Sequence, residues 1–259
     1  MRIALGVEYD GSLFNGWQAQ PQQRTIQGAL EKAISQVADQ PITVNAAGRT
    51  DAGVHALNQV VHFDTQAQRL PRNWLLGINS NLPCDVAVNW VQPVSDDFHA
   101  RFSAEQRRYR YLLLNRLSRS AIQHQRMWWF YKPLDIDKMQ QAANLMLGQH
   151  DFSALRAREC QAKSPIKTLD AIRISRRDDC IAVDVVARSF LHHMVRNIMG
   201  VITAVGEGKQ PVDWVSEVLA SKDRDKAGVT APPQGLYLTD VRYPAEYSLP
   251  AVSAFPVLW

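Results

Sequence analysis

The same order of predicted strands and helices, βαββαβ, occurs in each half of the chain. In the first half, alternating apolar residues predict strands, and a helix with one apolar face follows Thr25. The second half repeats this order, with helices predicted to begin at Ile136 and Ser189. The predicted strands are residues 2–9, 42–47, 54–64, 85–92, 107–115, 166–176, 180–187 and 236–243, and shorter helices are predicted at 71–79 and 211–220.

This order of elements is typical of the ferredoxin-like split βαβ unit, which packs helices on one face of an antiparallel sheet. A chain of 259 residues has room for two such units. We therefore predict an α+β fold of two ferredoxin-like halves, whose antiparallel sheets meet around a central basic cleft. The predicted domains are residues 1–104, which include the loop of Asp51, and residues 105–245, followed by a tail over 246–259.

Positive charge is concentrated between Arg101 and Lys132. This segment contains eight basic residues and a single acid, Glu105, whereas the whole chain has a net charge of only +4. A basic patch of this kind suits a polyanion such as nucleic acid. Taken alone, it also fits an ordinary solvated strand and loop, so the patch leaves both interpretations open.

Several classes of protein are disfavoured by what the sequence lacks. No stretch approaches the ~20 apolar residues of a membrane span, and the first ten residues become acidic before a signal-peptide core could form. Cys84, Cys160 and Cys180 are far apart, and the seven histidines form no zinc-binding pattern. We therefore expect a cytoplasmic protein with no membrane association and no metal site.

The segment Ala47–His55, with the sequence AGRTDAGVH, joins two predicted strands. Glycines on both sides of Asp51 allow the backbone to turn tightly or to approach a ligand. The cation Arg49 precedes the carboxylate by two residues. An isolated aspartate between glycines is usually only a turn residue, so this loop by itself does not establish chemistry.

The string AGRTDAGVHA resembles the catalytic loop of the tRNA pseudouridine synthase A family. The resemblance extends over about residues 2–243, and one difference is His192, where many relatives carry tyrosine. Further matching segments are Asp10-Gly11, Gly16-Trp17-Gln18-Ala19-Gln20, Thr25-Ile26-Gln27, Phe102-Ser103-Ala104, Arg107-Arg108-Tyr109-Arg110-Tyr111, Ser189 to Asn197 and Ala231 to Leu238.

This resemblance implies a pseudouridine synthase fold and an isomerase that converts uridine to pseudouridine at positions 38, 39 and 40 of the tRNA anticodon stem-loop. It also implies a homodimer and no cofactor. The chemistry agrees on the last point: the base leaves its sugar, rotates and rebonds through carbon, with no gain of electrons and no consumption of water.

The resemblance also implies roles for the residues that would act on the base. Asp51 is the expected nucleophile, since a carboxylate can form a covalent intermediate. Arg196 matches the family residue that pairs with this aspartate. Tyr109 matches the tyrosine that packs on the target base, and its hydroxyl can also move a proton. Leu236 matches the apolar wall of the pocket.

Four further residues are expected to contact RNA. Arg49 can occupy the space left by a nucleotide that has swung out of its helix, and can contact phosphate. A salt bridge between Arg49 and Asp51 is the alternative. Arg107 and Arg110 belong to the basic segment, and Gln18 lies in the matching stretch near the N-terminus.

Two other functions remain as alternatives. The first is a non-catalytic RNA-binding protein with two RRM-like halves, which would not need Asp51. Its usual aromatic-rich signature strand is absent from the expected positions. The second is a carboxylate hydrolase. Glycoside cleavage usually needs two nearby carboxylates, whereas the loop of Asp51 contains no other acid.

Overall fold

The structure is a computed structural model that describes residues 1–251 of the chain. The chain forms two compact units. The first combines Met1–Arg107 with the described residues from Tyr237 to Ala251, and the second is Arg108–Leu236. Each unit contains both strands and helices, so the prediction of an α+β fold is confirmed.

Ten strands and five α-helices form within residues 1–251, and every predicted element has a counterpart among them. In chain order they are β1 (Arg2–Tyr9), α1 (Ile26–Ala38), β2 (Asn45–Ala46), β3 (His55–Asp64), α2 (Pro71–Asn81), β4 (Val86–Val94), β5 (Gln106–Asn115), β6 (Trp128–Phe130), α3 (Ile136–Asn144), β7 (Gly148–Asp151), β8 (Ile166–Arg177), β9 (Cys180–Ala187), α4 (Met194–Gly206), α5 (Trp214–Ser221) and β10 (Leu236–Arg242).

The sheet of the first unit has the strand order β4-β1-β3-β10, and the short strand β2 also pairs with β3. Strand β1 lies antiparallel to both β3 and β4. Strand β10 runs parallel to β3, with Tyr237 beside His55. This pairing differs from the purely antiparallel sheets that were predicted. It also explains why β10 belongs to the first unit from Tyr237, whereas the predicted boundaries placed residues 105–245 in the second domain.

Helix α1 forms where the sequence predicts it. The Thr25 side chain accepts a hydrogen bond from the Gly28 amide at 3.3 Å and so caps the first turn. The buried residues Ile26, Leu30 and Ile34 recur at helical spacing and form one apolar face. Helices α1 and α2 contact each other in the first unit.

The sheet of the second unit has the strand order β5-β9-β8-β7, and β6 runs parallel to β5. Alternate residues of β9 from Ile181 to Ala187 are buried, as the period of two predicts. Helix α4 is buried along its length except at Arg196 and Ala204, and it contacts α3. Even so, none of the helices in residues 1–251 is long and apolar enough to cross a bilayer.

Some boundaries differ from the prediction. Helix α4 begins at Met194 and not at Ser189, because His193 has a left-handed φ of 60° that a helix interior does not tolerate. The strand predicted over 42–47 is reduced to two residues. Strands β6 and β7 are too short to show a clear period in the sequence. The predicted tail starts within a 3-10 turn at Ala245–Tyr247, and residues 252–259 lie outside the described part.

Candidate functional site

Asp51 lies in the glycine-rich loop between β2 and β3, and it is half-buried. Three residues later the backbone turns back, because the Val54 amide donates to the Asp51 carbonyl oxygen at 3.2 Å. Gly53 makes this turn with a φ of 77°, which glycine adopts without strain. The loop therefore holds its carboxylate-bearing residue at a tight, hydrogen-bonded turn.

The segment that follows β1 restrains the upstream side of this loop. Gly16 has a φ of 84° and approaches so closely that a Cβ atom there would lie 2.9 Å from the Thr50 carbonyl oxygen. The Trp17 amide donates to the same oxygen at 3.0 Å. The hydroxyls of Tyr9 and Thr50 are 2.8 Å apart. Because Thr50 directly precedes Asp51, these contacts limit the positions that the Asp51 backbone can take.

Buried polar side chains hold the beginning of the loop. The amide of Gln59, on the buried strand β3, donates to the Gly48 carbonyl at 2.6 Å and accepts from the Gly48 amide at 3.4 Å. Arg49, the next residue, is exposed. Gln18, which was expected to contact RNA, is half-buried in the segment after β1. The exposure of Arg49 is compatible with the RNA contact predicted for it.

Arg107 does not lie at the surface, and the prediction that it contacts RNA needs correction. Its side chain is buried, with 8% of the residue exposed. The guanidinium donates to the carbonyl oxygens of Ala47 at 2.8 Å, Arg101 at 2.7 Å and Ala104 at 3.4 Å. A guanidinium used in this way is a structural crosslink, and Ala47 is the first residue of the loop that carries Asp51.

Arg110, the other arginine of the basic segment that was predicted to contact RNA, is half-buried. It makes a two-pronged ion pair with Asp184, with nitrogen–oxygen distances of 2.8 Å and 2.7 Å. The side chains are only 14% and 25% exposed, so this pair is partly shielded from water. Because the charge of Arg110 is balanced by a carboxylate, a direct phosphate contact would have to compete with that pair.

Tyr109 lies on the buried face of β5. Tyr109 and Tyr111 are buried and Arg108 between them is exposed, which agrees with the alternation predicted for this strand. The Tyr109 ring packs edge-on against Phe190, with 5.1 Å between ring centroids and an angle of 86° between the planes. An aromatic ring fixed by a perpendicular neighbour can present a defined surface for stacking.

Arg196 is tied to the segment that leads into β10. Its Nε donates to the Ala231 carbonyl at 2.8 Å, and its own carbonyl accepts from the Ala231 amide at 3.1 Å. The residue lies in the first turn of α4, because the helix begins at Met194 and not at Ser189 as predicted. These two hydrogen bonds with Ala231 therefore fix the position of the half-buried Arg196.

Arg224 supports the same segment and was not recognised from the sequence. Its guanidinium donates to the carbonyls of Ala227 at 3.2 Å and Gly228 at 3.0 Å, and to the Thr230 hydroxyl at 2.7 Å. It also donates to Asn197, the neighbour of Arg196, at 3.0 Å. An arginine in a polar stretch gives no sequence signal for such a role, since the role depends on contacts made after folding.

Tyr111 is a second residue that the sequence did not single out. Its hydroxyl donates to the Pro232 carbonyl at 2.7 Å. Burial raises the pKa of Tyr111 well above its usual range, an effect that the charge of Arg196 partly opposes. Gly235 lies against this ring, where a Cβ atom would come within 2.7 Å of it. Leu236 follows as a buried residue at the start of β10, and its role as an apolar wall stays a prediction.

Comparisons with known proteins reveal the family of the chain. A family model described as tRNA pseudouridine synthase matches residues 6–103 and 142–244. The chain is 53% identical over 259 residues to the tRNA pseudouridine synthase A of Nitrosococcus oceani, with 100% of both chains covered. The chain belongs to the tRNA pseudouridine synthase A family. Identity is 51% over 257 residues to the protein of that name from Shewanella piezotolerans, with 99% of this chain and 98% of that chain covered. It is 52% over 256 residues to the protein from Klebsiella pneumoniae, with 99% and 95% covered.

Membership in the tRNA pseudouridine synthase A family confirms the resemblance drawn from the sequence, and it identifies the α+β arrangement as a pseudouridine synthase fold. Asp51, Arg196 and Leu236 fall within the two matched segments. Tyr109 and Arg110 lie between those segments, although the Nitrosococcus relative aligns over the whole chain. The roles of the individual residues stay predictions.

Proposed function

We propose that this chain isomerises uridine to pseudouridine in tRNA, at positions 38, 39 and 40 of the anticodon stem-loop. The observation that carries the proposal is an identity of 51–53% over nearly the full chain to relatives named tRNA pseudouridine synthase A. Their name gives the substrate class and the reaction. The three positions rest on the resemblance of the AGRTDAGVHA loop to that of the family.

The reaction breaks the bond between uracil N1 and ribose C1′, turns the base and joins C5 to C1′. C5 loses a hydrogen and N1 gains one, so substrate and product are isomers and the balance requires no cofactor. A carboxylate can promote this exchange through a transient covalent bond. Asp51 is the proposed nucleophile. Its support is a half-buried position in a loop whose backbone is hydrogen-bonded directly before and after it.

Other residues have distinct proposed roles. Tyr109 stacks on the target base and moves a proton, and the perpendicular contact with Phe190 supports a fixed ring. Arg196 is the cationic partner of the reacting carboxylate, as the resemblance implies. Leu236 excludes water as an apolar wall. Arg49 contacts the RNA where the nucleotide has swung out, and its exposure supports that role.

The proposed contact with the RNA backbone is made by the exposed arginines of the basic segment. Those that the structure shows as exposed are Arg101, Arg108, Arg119 and Arg126. Neutralising phosphates with such side chains releases counterions, so binding should weaken as salt is raised. Gln18 can add a polar contact from its half-buried position.

Two parts of the proposal concern the protein's state in the cell. The family resemblance implies a homodimer, and we include that assembly in the proposal. A cytoplasmic location is the second part of the proposal, and its support is that tRNA is used in the cytoplasm during translation.

The experiment is tritium release from tRNA that carries 5-tritiated uridine. We expect the wild-type chain to release tritium and Asp51→Asn to release none, while Asp51→Asn still binds tRNA. Asp39→Asn is the matched control, because Asp39 is an exposed left-handed residue at the end of α1 and asparagine tolerates that conformation. This control should keep wild-type turnover.

Each other outcome decides against part of the proposal. Clear turnover by Asp51→Asn would refute the nucleophile assignment. Binding of tRNA by the wild type without any tritium release would favour the non-catalytic RNA-binding alternative.

A further inference from the structure

We infer that His55 is a positioning residue for Asp51, and that it acts by locking the downstream end of the loop to Gly11 and Asp10. The inference rests on the proposed function, because it assigns a role within the same site. His55 is the first residue of β3 and follows Asp51 by four positions. No role was assigned to its side chain from the sequence.

The His55 ring occupies a buried junction of three chain segments. Only 3% of its side chain is exposed. Its Nδ1 accepts a hydrogen bond from the Gly11 amide at 3.1 Å and lies 3.2 Å from a carboxylate oxygen of Asp10. The ring also stacks on Tyr237 of β10, with 4.6 Å between centroids. The side chain therefore joins the end of the Asp51 loop to the segment after β1 and to β10.

Close backbone packing couples the position of Gly11 to that of the Asp51 loop. A Cβ atom on Gly11 would lie 2.0 Å from the Val54 carbonyl oxygen, so the two backbones are in direct contact. The Val54 amide in turn donates to the Asp51 carbonyl. Any shift of Gly11 relative to His55 must therefore move Val54, and with it the turn that holds Asp51.

The Nδ1 atom of the ring faces two neighbours, the Gly11 amide and the Asp10 carboxylate. A single Nδ1 cannot accept from the Gly11 amide and donate to Asp10 at the same time. Nδ1 without a proton accepts from Gly11, while Nδ1 with a proton donates to Asp10. The Asp10 carboxylate is itself ionised, because contact with His55 and bonds from Ser12 hold the pKa of Asp10 well below its usual range. In both states the ring remains attached to the segment after β1.

Positioning of this kind should affect chemistry more than binding. A nucleophile displaced by ~1 Å can lose ~100-fold in rate although the substrate still binds. Of the RNA-contacting residues proposed above, only Arg49 belongs to this loop, and it precedes the turn between Asp51 and Val54. A variant that loosens the Asp51 turn should therefore lower kcat and leave KM for tRNA nearly unchanged.

The chain offers a matched control on the same strand. His62 of β3 is also buried, with 2% exposed, and its Nδ1 also accepts a backbone hydrogen bond, from Ala100, at 3.1 Å. Replacing His55 or His62 therefore removes a comparable bond from a comparable environment. Only His55 borders the Asp51 loop.

The experiment compares His55→Leu and His55→Asn with His62→Leu and His62→Asn in the full-length protein. Asparagine can place its carbonyl oxygen near the position of Nδ1 and restore the acceptor. Each variant is examined for tritium release at saturating and limiting tRNA, for its unfolding temperature, and for hydrogen exchange of the Val54 amide. If a leucine variant does not fold, the comparison is made between His55→Asn and His62→Asn.

We expect His55→Leu to lower kcat by ~100-fold with an unchanged KM and faster exchange at Val54, and His55→Asn to recover a large part of kcat. The His62 variants should have unfolding temperatures that are lowered to a similar extent. Their kcat and the slow hydrogen exchange of the Val54 amide should stay as in the wild type. Equal kcat and equal Val54 exchange in the two series would overturn the inference. If wild type and His62→Asn both lack activity, the proposed function fails, and the Val54 exchange still decides whether His55 positions the loop.

Discussion

Replacing Arg107 with methionine should destabilise the protein and should not act mainly on RNA binding. Methionine is of similar length and keeps the side chain apolar, but it removes every hydrogen bond of the guanidinium. The carbonyl oxygens of Ala47 and Ala104 would then lose this donor in a buried setting, and that of Arg101 in a partly buried one. A buried acceptor that loses its donor lowers the free energy of unfolding, because no water molecule replaces the lost hydrogen bond.

The magnitude follows from the geometry. The bonds to Ala47 and Arg101 are short, at 2.8 Å and 2.7 Å, whereas the bond to Ala104 is long, at 3.4 Å. A hydrogen bond from a charged donor contributes ~1.5–3 kcal/mol, so the two short bonds together are worth ~3–6 kcal/mol. This is a large part of an ordinary unfolding free energy of ~5–15 kcal/mol. The unfolding temperature should therefore fall by roughly 10 °C.

The assay combines thermal unfolding with tRNA binding at several salt concentrations. Arg108→Met is the control, because Arg108 is the exposed neighbour on the same strand and its loss should change stability by no more than ~0.5 kcal/mol. The slope of binding against salt should stay the same in Arg107→Met. The reasoning is refuted if Arg107→Met unfolds like the wild type, or if its salt slope decreases by ~1 while stability is kept, as a phosphate contact requires.

Three further results are expected. Arg196→Met should lower kcat by ~100- to 1000-fold in single-turnover tritium release while the protein stays folded; an unchanged kcat would exclude a role in the reaction. Burial lowers the pKa of His62 to about 4, below its ordinary value of 6.5. The unfolded chain therefore binds a proton more readily than the folded chain between those values, and stability should fall as the pH is lowered through that window. Urea unfolding of His62→Asn should show a weaker pH dependence. Sedimentation equilibrium should give about twice the chain mass of 29.2 kDa if the proposed homodimer forms.

The regular elements could be predicted because their periods are visible in the sequence. Helix α1 has a capping threonine followed by apolar residues at helical spacing, and β9 alternates strictly. The start of α4 could not be predicted in the same way. The apolar pattern continues upstream of Met194, but the helix begins at Met194 because His193 has a left-handed backbone. The backbone conformation of a single residue produces no periodic pattern in the sequence.

The roles of the arginines show what a count of charges misses. Arg107 belongs to a cluster of basic residues, which favours a surface that binds nucleic acid. Yet it lies two residues before Tyr109 and four before Tyr111, so the alternation of β5 places it on their buried face. The strand period was the better guide to its environment. For Arg110 the decisive partner, Asp184, lies on another strand, and its identity depends on register.

The family motif identified the loop of Asp51 but not what holds it. Glycine, threonine and histidine in AGRTDAGVHA are visible in the sequence, whereas the contacts of Thr50 with Trp17 and Tyr9 join segments more than thirty residues apart. The parallel pairing of β10 with β3 is similarly remote, because the two strands are separated by most of the chain. Contacts of this kind follow from tertiary packing, which local patterns do not contain.

The pairing of β10 with β3 has a consequence for the order of events on the ribosome. The second unit is continuous in the chain, so all of its residues have been synthesised once Leu236 has been added. The first unit starts at Met1, but the aromatic partner of His55 is Tyr237, which lies on the strand of that unit that is synthesised last. A nascent chain can therefore expose a nearly finished N-terminal sheet for most of its synthesis. That sheet acquires its last strand, and His55 its contact with Tyr237, only near the end of translation.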